Sequence, residues 1–260
     1  MLWTILLLLS CNTKKKEEVE TASTEVKEMA KTTLETMDKA SILLDDAFEA
    51  HGGTLYDSAA YSFTFRDIAY TFDNRNGYTY TRKGVNKEGD EFYDILTNGT
   101  LTRTLNGEQL SLSKEDAGNY SASVNSVVYF ATLPHKLYDK AVKKTYKGTT
   151  TIKGKAYDIM EVTFAQEGGG KDFDDEFHYW INSETKIIDY VAYNYQVDGG
   201  GVRFRSAYNP RNVGGIHFQD YVNYKAPLGT PLKELPSLYE QGKLKELSRI
   251  ETENIVNLKS

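Results

Sequence analysis

Three arginines cluster towards the C-terminal end of the chain: Arg203 and Arg205, two residues apart, and Arg211 close behind. A guanidinium presents its donors in a planar fork that fits a carboxylate or phosphate at two points. Alternate residues of a strand share a face, so Arg203 and Arg205 point one way and Val202 and Phe204 the other. Asn209, Arg211 and Asn212 are expected in the turn that follows. The trio could clamp an anionic head group. Equally, it could pair with acids on neighbouring strands, such as Asp189 or Asp220, and brace the outer surface of a sheet. Exposed strand faces routinely carry such charges, which favours the ion pairs.

Other chemistry-bearing patterns are weaker. Asp172, Asp174, Asp175 and Glu176 follow Gly168, Gly169 and Gly170, but their spacing matches no calcium loop, and Gly with Asp is turn chemistry. His51, His135, His178 and His217 are far apart with no paired-ligand spacing, so no metal site and no cofactor are expected. His178 should share a strand face with Trp180, and His217 with Gln219 and Tyr221. His51 falls at a helix end, where the macrodipole favours a cation. No GxSxG elbow occurs, and no pair among 37 acids stands out for glycoside hydrolysis, so no catalytic residue is assigned. A hydrolase would need polar groups converging in a concavity, and only Arg66, Arg82 and Glu161 interrupt otherwise apolar strand phases. Net charge is −6 with both signs interspersed, which leaves no basic footprint for nucleic acid.

Positioning elements follow from periodicity. Lys155 to Tyr195 reads as three antiparallel strands, with turn residues from Asn182 to Lys186. Upstream, Met37, Ala40, Leu43, Leu44, Ala47 and Phe48 form the apolar stripe of a helix that begins near Thr24 and stops at Gly52 and Gly53. Short strands follow, punctuated by Asn76-Gly77, Asn98-Gly99 and Asn106-Gly107. From Asn119 to Asp139 the spacing turns helical, with Pro134 interrupting, and such an insertion should plug the sheet. Strands resume at Ala141 to Tyr146, Thr149 to Ile152, Val202 to Tyr208 and Ile216 to Tyr224. A turn of helix near Leu238 and Tyr239 and a last strand from Ile250 to Leu258 close the chain. Residues 24–260 are expected to form a single domain.

Residues 1–10 are apolar but too short to span a bilayer. Leu8-Leu9-Ser10-Cys11 resembles the lipobox of bacterial lipoproteins, although no Lys or Arg precedes the apolar run. The resemblance implies cleavage before Cys11, a diacylglycerol on its thiol and a tether over residues 11–23. Asn12, in place of an aspartate, implies the outer membrane. Lys14-Lys15-Lys16-Glu17-Glu18 looks like the surface-export signal of Bacteroidota lipoproteins, and a charged run of this kind is also an ordinary solvated tether. Cys11 is the only cysteine, so no disulfide is expected.

One N-terminal helix, a long antiparallel meander and a helical interruption resemble the LolA/LolB-like lipoprotein fold. The blocks AHGG, YSFTFRDIAY, HYWINSETKIIDYVAYNY and GGGVRFRSAYNPRNVGGIHFQDYVNY look like an uncharacterised family of Bacteroidota lipoproteins assigned to it. The implied fold is α+β, mainly antiparallel: a half-barrel wrapping the helix and the inserted segment around an apolar cavity. Phe63, Phe65, Phe130, Leu133, Pro134, Trp180, Tyr190, Phe204 and Phe218 are the candidate lining, chosen for aromatic bulk and phase. The leading expectation is a non-catalytic, lipid-anchored envelope protein, periplasmic or surface-exposed, that binds an acyl chain or lipid. The alternatives are an interaction lipoprotein with a filled core and envelope partners, and an unidentified hydrolase. Asp57-Ser58-Ala59 resembles a Bacteroidota O-glycosylation motif, which would place sugar on Ser58.

Overall fold

Helix α1 occupies residues 38–51 of a computed structural model that describes residues 31, 35, 38–165, 175–196 and 199–259. Its stripe of Ala40, Leu43, Leu44 and Ala47 is buried, as three- and four-residue spacing demands. The helix stops where Gly52 takes φ 132° and Gly53 φ 53°, conformations open to glycine at little cost. Its expected start near Thr24, the tether and Cys11 lie outside the described residues.

Among the described residues, fourteen strands form two seven-stranded antiparallel sheets. The first contains β1 (Ala60–Phe65), β2 (Ile68–Asp73), β3 (Thr79–Val85), β4 (Glu91–Thr97), β5 (Thr100–Leu105) and β6 (Glu108–Gln109). The second contains β7 (Val142–Ile152), β8 (Lys155–Phe164), β9 (Glu176–Asn182), β10 (Ile188–Tyr195), β11 (Gly201–Val213) and β12 (Ile216–Ala226). Asn98-Gly99 and Asn106-Gly107 turn with positive φ at both residues, the geometry that matches strand twist in a two-residue hairpin.

The last stretch is not one strand. β13 (Lys245–Ile250) pairs with β12, and β14 (Glu253–Asn257) pairs with β1 in the other sheet. The break at Glu251 and Thr252 therefore turns the corner between the sheets. An open, curved half-barrel results, with edges at β6 and β7. β11 also runs further than expected. A bulge between Tyr208 and Arg211, with Asn209 at φ 50°, keeps Arg211 within the strand, and the turn falls at Gly214 and Gly215 instead.

Helix α2 (Lys114–Ala131) bridges the two sheet edges. Ser113 caps it by accepting from the Asp116 amide at 3.0 Å and donating its hydroxyl to the Asp116 carboxylate at 2.6 Å. A 3-10 turn, His135–Tyr138, follows a cis Leu133–Pro134 bond. Val124 and Val128 of α2 pack on the first sheet with Tyr70, Phe72 and Tyr80. Helix α1, Leu133 and Leu137 cover the inner face of the second sheet. On its reverse face, Trp180, Tyr190 and Phe204 pack under a 3-10 turn at Leu232–Glu234 and helix α3 (Leu235–Glu240).

Candidate functional site

Between α2 and the inner face of the second sheet lies a cavity of about 410 Å³ that reaches the corner at Thr252. Helix α2 contributes Ser126, Val127, Phe130 and Ala131, and the end of β1 contributes Phe65 and Arg66. From β9 to β12 the lining is Phe177, Tyr193, Tyr195, Arg203, Arg205, Gln219, Tyr221 and Asn223. Every one of these strand residues is odd-numbered. Unbroken alternation along each strand segment, together with antiparallel register, puts them on one face.

That parity sorts the expected lining. Phe65 and Phe130 face the cavity. Trp180, Tyr190 and Phe204 are even-numbered and lie on the opposite face beneath α3, a correction to the expected set: their bulk suggested a concave face, and their phase assigns them to the other side. Phe63 and Phe218 are buried in the core of the first sheet, where Phe63 stacks on Tyr70 and Phe218 lies against Tyr61. Leu133 belongs to the core beneath α1, and Pro134 is buried at the start of the 3-10 turn.

The arginine trio divides. Arg211 donates to both Asp220 oxygens at 2.7 and 2.8 Å and to the Thr252 carbonyl at 2.9 Å, so it fastens the corner. Asp220 is drawn below the usual carboxylate range: burial opposes ionisation, but hydrogen bonds from Arg211, the Thr252 amide and Asn209 outweigh it. Arg203 and Arg205 instead enter the cavity. Arg205 is only 7% exposed, lies 3.6 Å from the Phe130 ring centroid and donates to the Tyr193 hydroxyl at 2.8 Å. Among the described residues its Nε has no hydrogen-bond partner, nor does Oδ1 of Asn223, the residue directly opposite on β12. Arg203 donates to the Tyr195 hydroxyl and, at 3.2 Å, to the Val202 carbonyl. Gln219 donates to the Tyr221 hydroxyl at 2.8 Å, and burial raises the Tyr221 pKa, which keeps that phenol neutral.

A second cluster escaped sequence reasoning because its members are distant in the chain. Glu161, Glu176 and His178 meet on the reverse face of the second sheet, at the edge of a pocket of about 650 Å³. Cross-strand register sets Glu161 opposite His178. The histidine Nε2 lies 3.0 Å from Glu176 Oε1 and 3.4 Å from Glu161 Oε2. These are ligand types for a divalent ion, but the Lys147 ammonium, 3.0 Å from Glu161, already supplies positive charge there. Asp172 and Asp174 lie outside the described residues.

Arg82, flagged as an interruption, belongs to a buried ion-pair group with Asp94 and Arg103. Its Nη1 also donates to Ser123 of α2 at 2.6 Å. His51 is not a solvated cation at a helix end. It is 2% exposed, its Nδ1 donates to the Ala47 carbonyl at 2.7 Å, and burial pushes its pKa down to about 4. Ser58 is exposed, and its Oγ accepts from Lys259 Nζ at 2.5 Å.

Among the described residues no helix is long and apolar enough to cross a membrane. A search of curated proteins finds no match. Among solved structures, a LolA superfamily protein from Nitrosomonas europaea aligns at 10% identity and TM-score 0.47, over 83% of this chain and 92% of that one. A DUF1329 family protein from Desulfovibrio piger aligns at 13% identity and TM-score 0.41, over 84% and 93%. The strand order of the chain itself establishes its architecture. Across residues 1–252 the sequence matches the profile of DUF6503, a family of unknown function, and the chain belongs to that family.

Proposed function

We propose that this protein is a lipid-anchored envelope protein of a bacterium, of Bacteroidota type by its sequence blocks, that holds a hydrophobic ligand such as an acyl chain in its half-barrel cavity. One observation carries the reading: α2 does not fill the concavity, and about 410 Å³ remains between it and the second sheet. That volume falls within the roughly 300–1,000 Å³ of small-molecule sites. Phe65, Val127, Phe130, Ala131, Phe177 and Ile250 supply apolar wall. A core closed by its own side chains, as an interaction lipoprotein would have, leaves no such space. Binding without turnover fits the described lining, where the charged groups beside Asp175 are guanidiniums that hold charge and do not exchange protons near neutral pH. The lipobox-like Leu8-Leu9-Ser10-Cys11 supports the anchor, and Asn12 in place of an aspartate supports an outer-membrane address, on the periplasmic face or the cell surface.

The test is native mass spectrometry of the full chain isolated from bacterial envelopes. A co-purifying apolar species of defined mass is expected, together with the added mass of a diacylglyceryl group that disappears in Cys11→Ala. Val127→Trp, which fills the cavity from α2, should lose the species while its melting transition stays cooperative. An empty wild-type protein that also takes up no added dodecanol would reject the carrier reading.

A further inference from the structure

We infer that the cavity selects an acidic amphiphile, a ligand whose carboxylate or phosphate head is gripped by Arg205 and Arg203 while its chain lies along the aromatic wall. The inference rests on the reading of this cavity as the ligand site and adds the class of head group. Among the described residues three guanidiniums line the space, those of Arg66, Arg203 and Arg205, against one carboxylate, that of Asp175. Positive charge therefore exceeds negative among the described lining residues, beside apolar wall from Phe65, Val127, Phe130 and Phe177, and a neutral hydrocarbon would offer these guanidiniums no counter-charge.

Arg205 carries the argument. A guanidinium stays ionised at any physiological pH, and charge removed from water needs a counter-charge or a full set of acceptors. Arg205 is 7% exposed, its Nε donates to nothing, and no ion pair to Arg203 or Arg205 occurs among the described residues. The ring of Phe130 covers one face of the group and Tyr193 accepts from Nη2, which leaves Nε as a donor without an acceptor among the described residues. Tyr193 and Tyr195 each accept from an arginine. Their own hydroxyl protons remain to be donated to the same anion. Opposite stands Asn223, whose unpartnered Oδ1 suits a hydroxyl or amide N–H beside the acid. Both residues line the cavity, so two unpartnered polar atoms of opposite sense belong to facing positions of its wall.

The experiment titrates the full chain calorimetrically with dodecanoate, dodecyl phosphate, dodecanol, dodecyltrimethylammonium and inorganic phosphate, each below its aggregation concentration. Dodecanoate or dodecyl phosphate should bind about tenfold or more tighter than dodecanol, the increment of charge-assisted hydrogen bonds. Arg205→Met should erase that margin by weakening dodecanoate and dodecyl phosphate about tenfold or more relative to dodecanol. Should Arg205→Met fail to fold, Arg203→Met at the less buried position should still narrow the margin, and an undiminished margin there overturns the clamp. Equal binding of all four chains overturns the acidic-head inference and leaves the hydrophobic-ligand reading intact. Tight binding of inorganic phosphate with no gain from the dodecyl chain upholds an anion site but overturns both the amphiphile and the carrier readings. No binding by any probe overturns both as well.

Discussion

His51 shows how burial overrides a local preference. At the C-terminal end of α1 the macrodipole favours a charged imidazole by up to roughly 2 kcal/mol, but burial beside the His217 ring removes the water that a charge needs. The folded-state pKa falls to about 4 from 6.5, so below pH 6.5 the unfolded chain takes up a proton that the folded chain refuses. Stability therefore declines as pH falls between about 6.5 and 4, by on the order of 3 kcal/mol from this group. Urea midpoints measured at pH 7 and pH 4.5 should separate more in wild type than in His51→Leu. Equal separation in the two proteins would show that His51 is not the group responsible. Among the described residues Nε2 has no partner, and the His217 ring lies at a centroid distance of 5.1 Å, surroundings that suit a neutral imidazole.

At the scale of elements, the attachment of α2 to the first sheet governs whether the cavity persists. Asp94 on β4 is fully buried between Arg82 Nε at 2.6 Å and Arg103 Nη1 at 3.1 Å, and Arg82 reaches on to Ser123. The Tyr120 ring lies 4.0 Å from the Arg103 guanidinium, which adds a second tie between helix and sheet. Asp94→Ala strands two buried guanidiniums and should cost about 3–5 kcal/mol in chemical unfolding, more than a surface ion pair would. A loss under about 1 kcal/mol would mean that water already reaches this group. Tyr129 of α2, whose hydroxyl meets that of Tyr179 at 2.6 Å, holds the other side of the helix to the second sheet. The helix thus spans the concavity with a tie at each wall, and the open space lies between them.

For the molecule as a whole, the corner between the sheets decides the shape. Asp220 gathers Arg211, Asn209 and the Thr252 amide, and Thr252 is also a wall of the cavity. Because its folded pKa is depressed, the stability this carboxylate contributes is present above its unfolded value and is lost as pH falls through the folded one. Asp220→Asn should accelerate amide exchange in residues 245–257 while leaving β8 to β10 protected, because only the terminal strands depend on that anchor. Uniform exchange across the second sheet would show that the corner opens only with global unfolding.

Much of this architecture was legible in the chain. Asn-Gly pairs marked the hairpins because few residues tolerate two successive positive φ values, and the stripe from Ala40 to Ala47 marked α1 by its period. Helical spacing alone begins α2 at Asn119, and the capping signal from Ser113 to Asp116 sets its true start further upstream. Phase correctly set Arg203 and Arg205 apart from Phe204. What the sequence could not decide was which face of the second sheet is concave, since both faces are apolar, one covered by α1 and α2 and the other by α3. Local periodicity is a property of a few bonds, whereas inside and outside depend on where distant segments pack. The split of the last strand at Glu251 and the meeting of Glu161 with His178 were likewise set by register between strands. The sequence by itself determined the strands, the helices and the alternation of their side chains. Only the tertiary structure decided that Arg203 and Arg205, rather than Trp180, Tyr190 and Phe204, face the cavity.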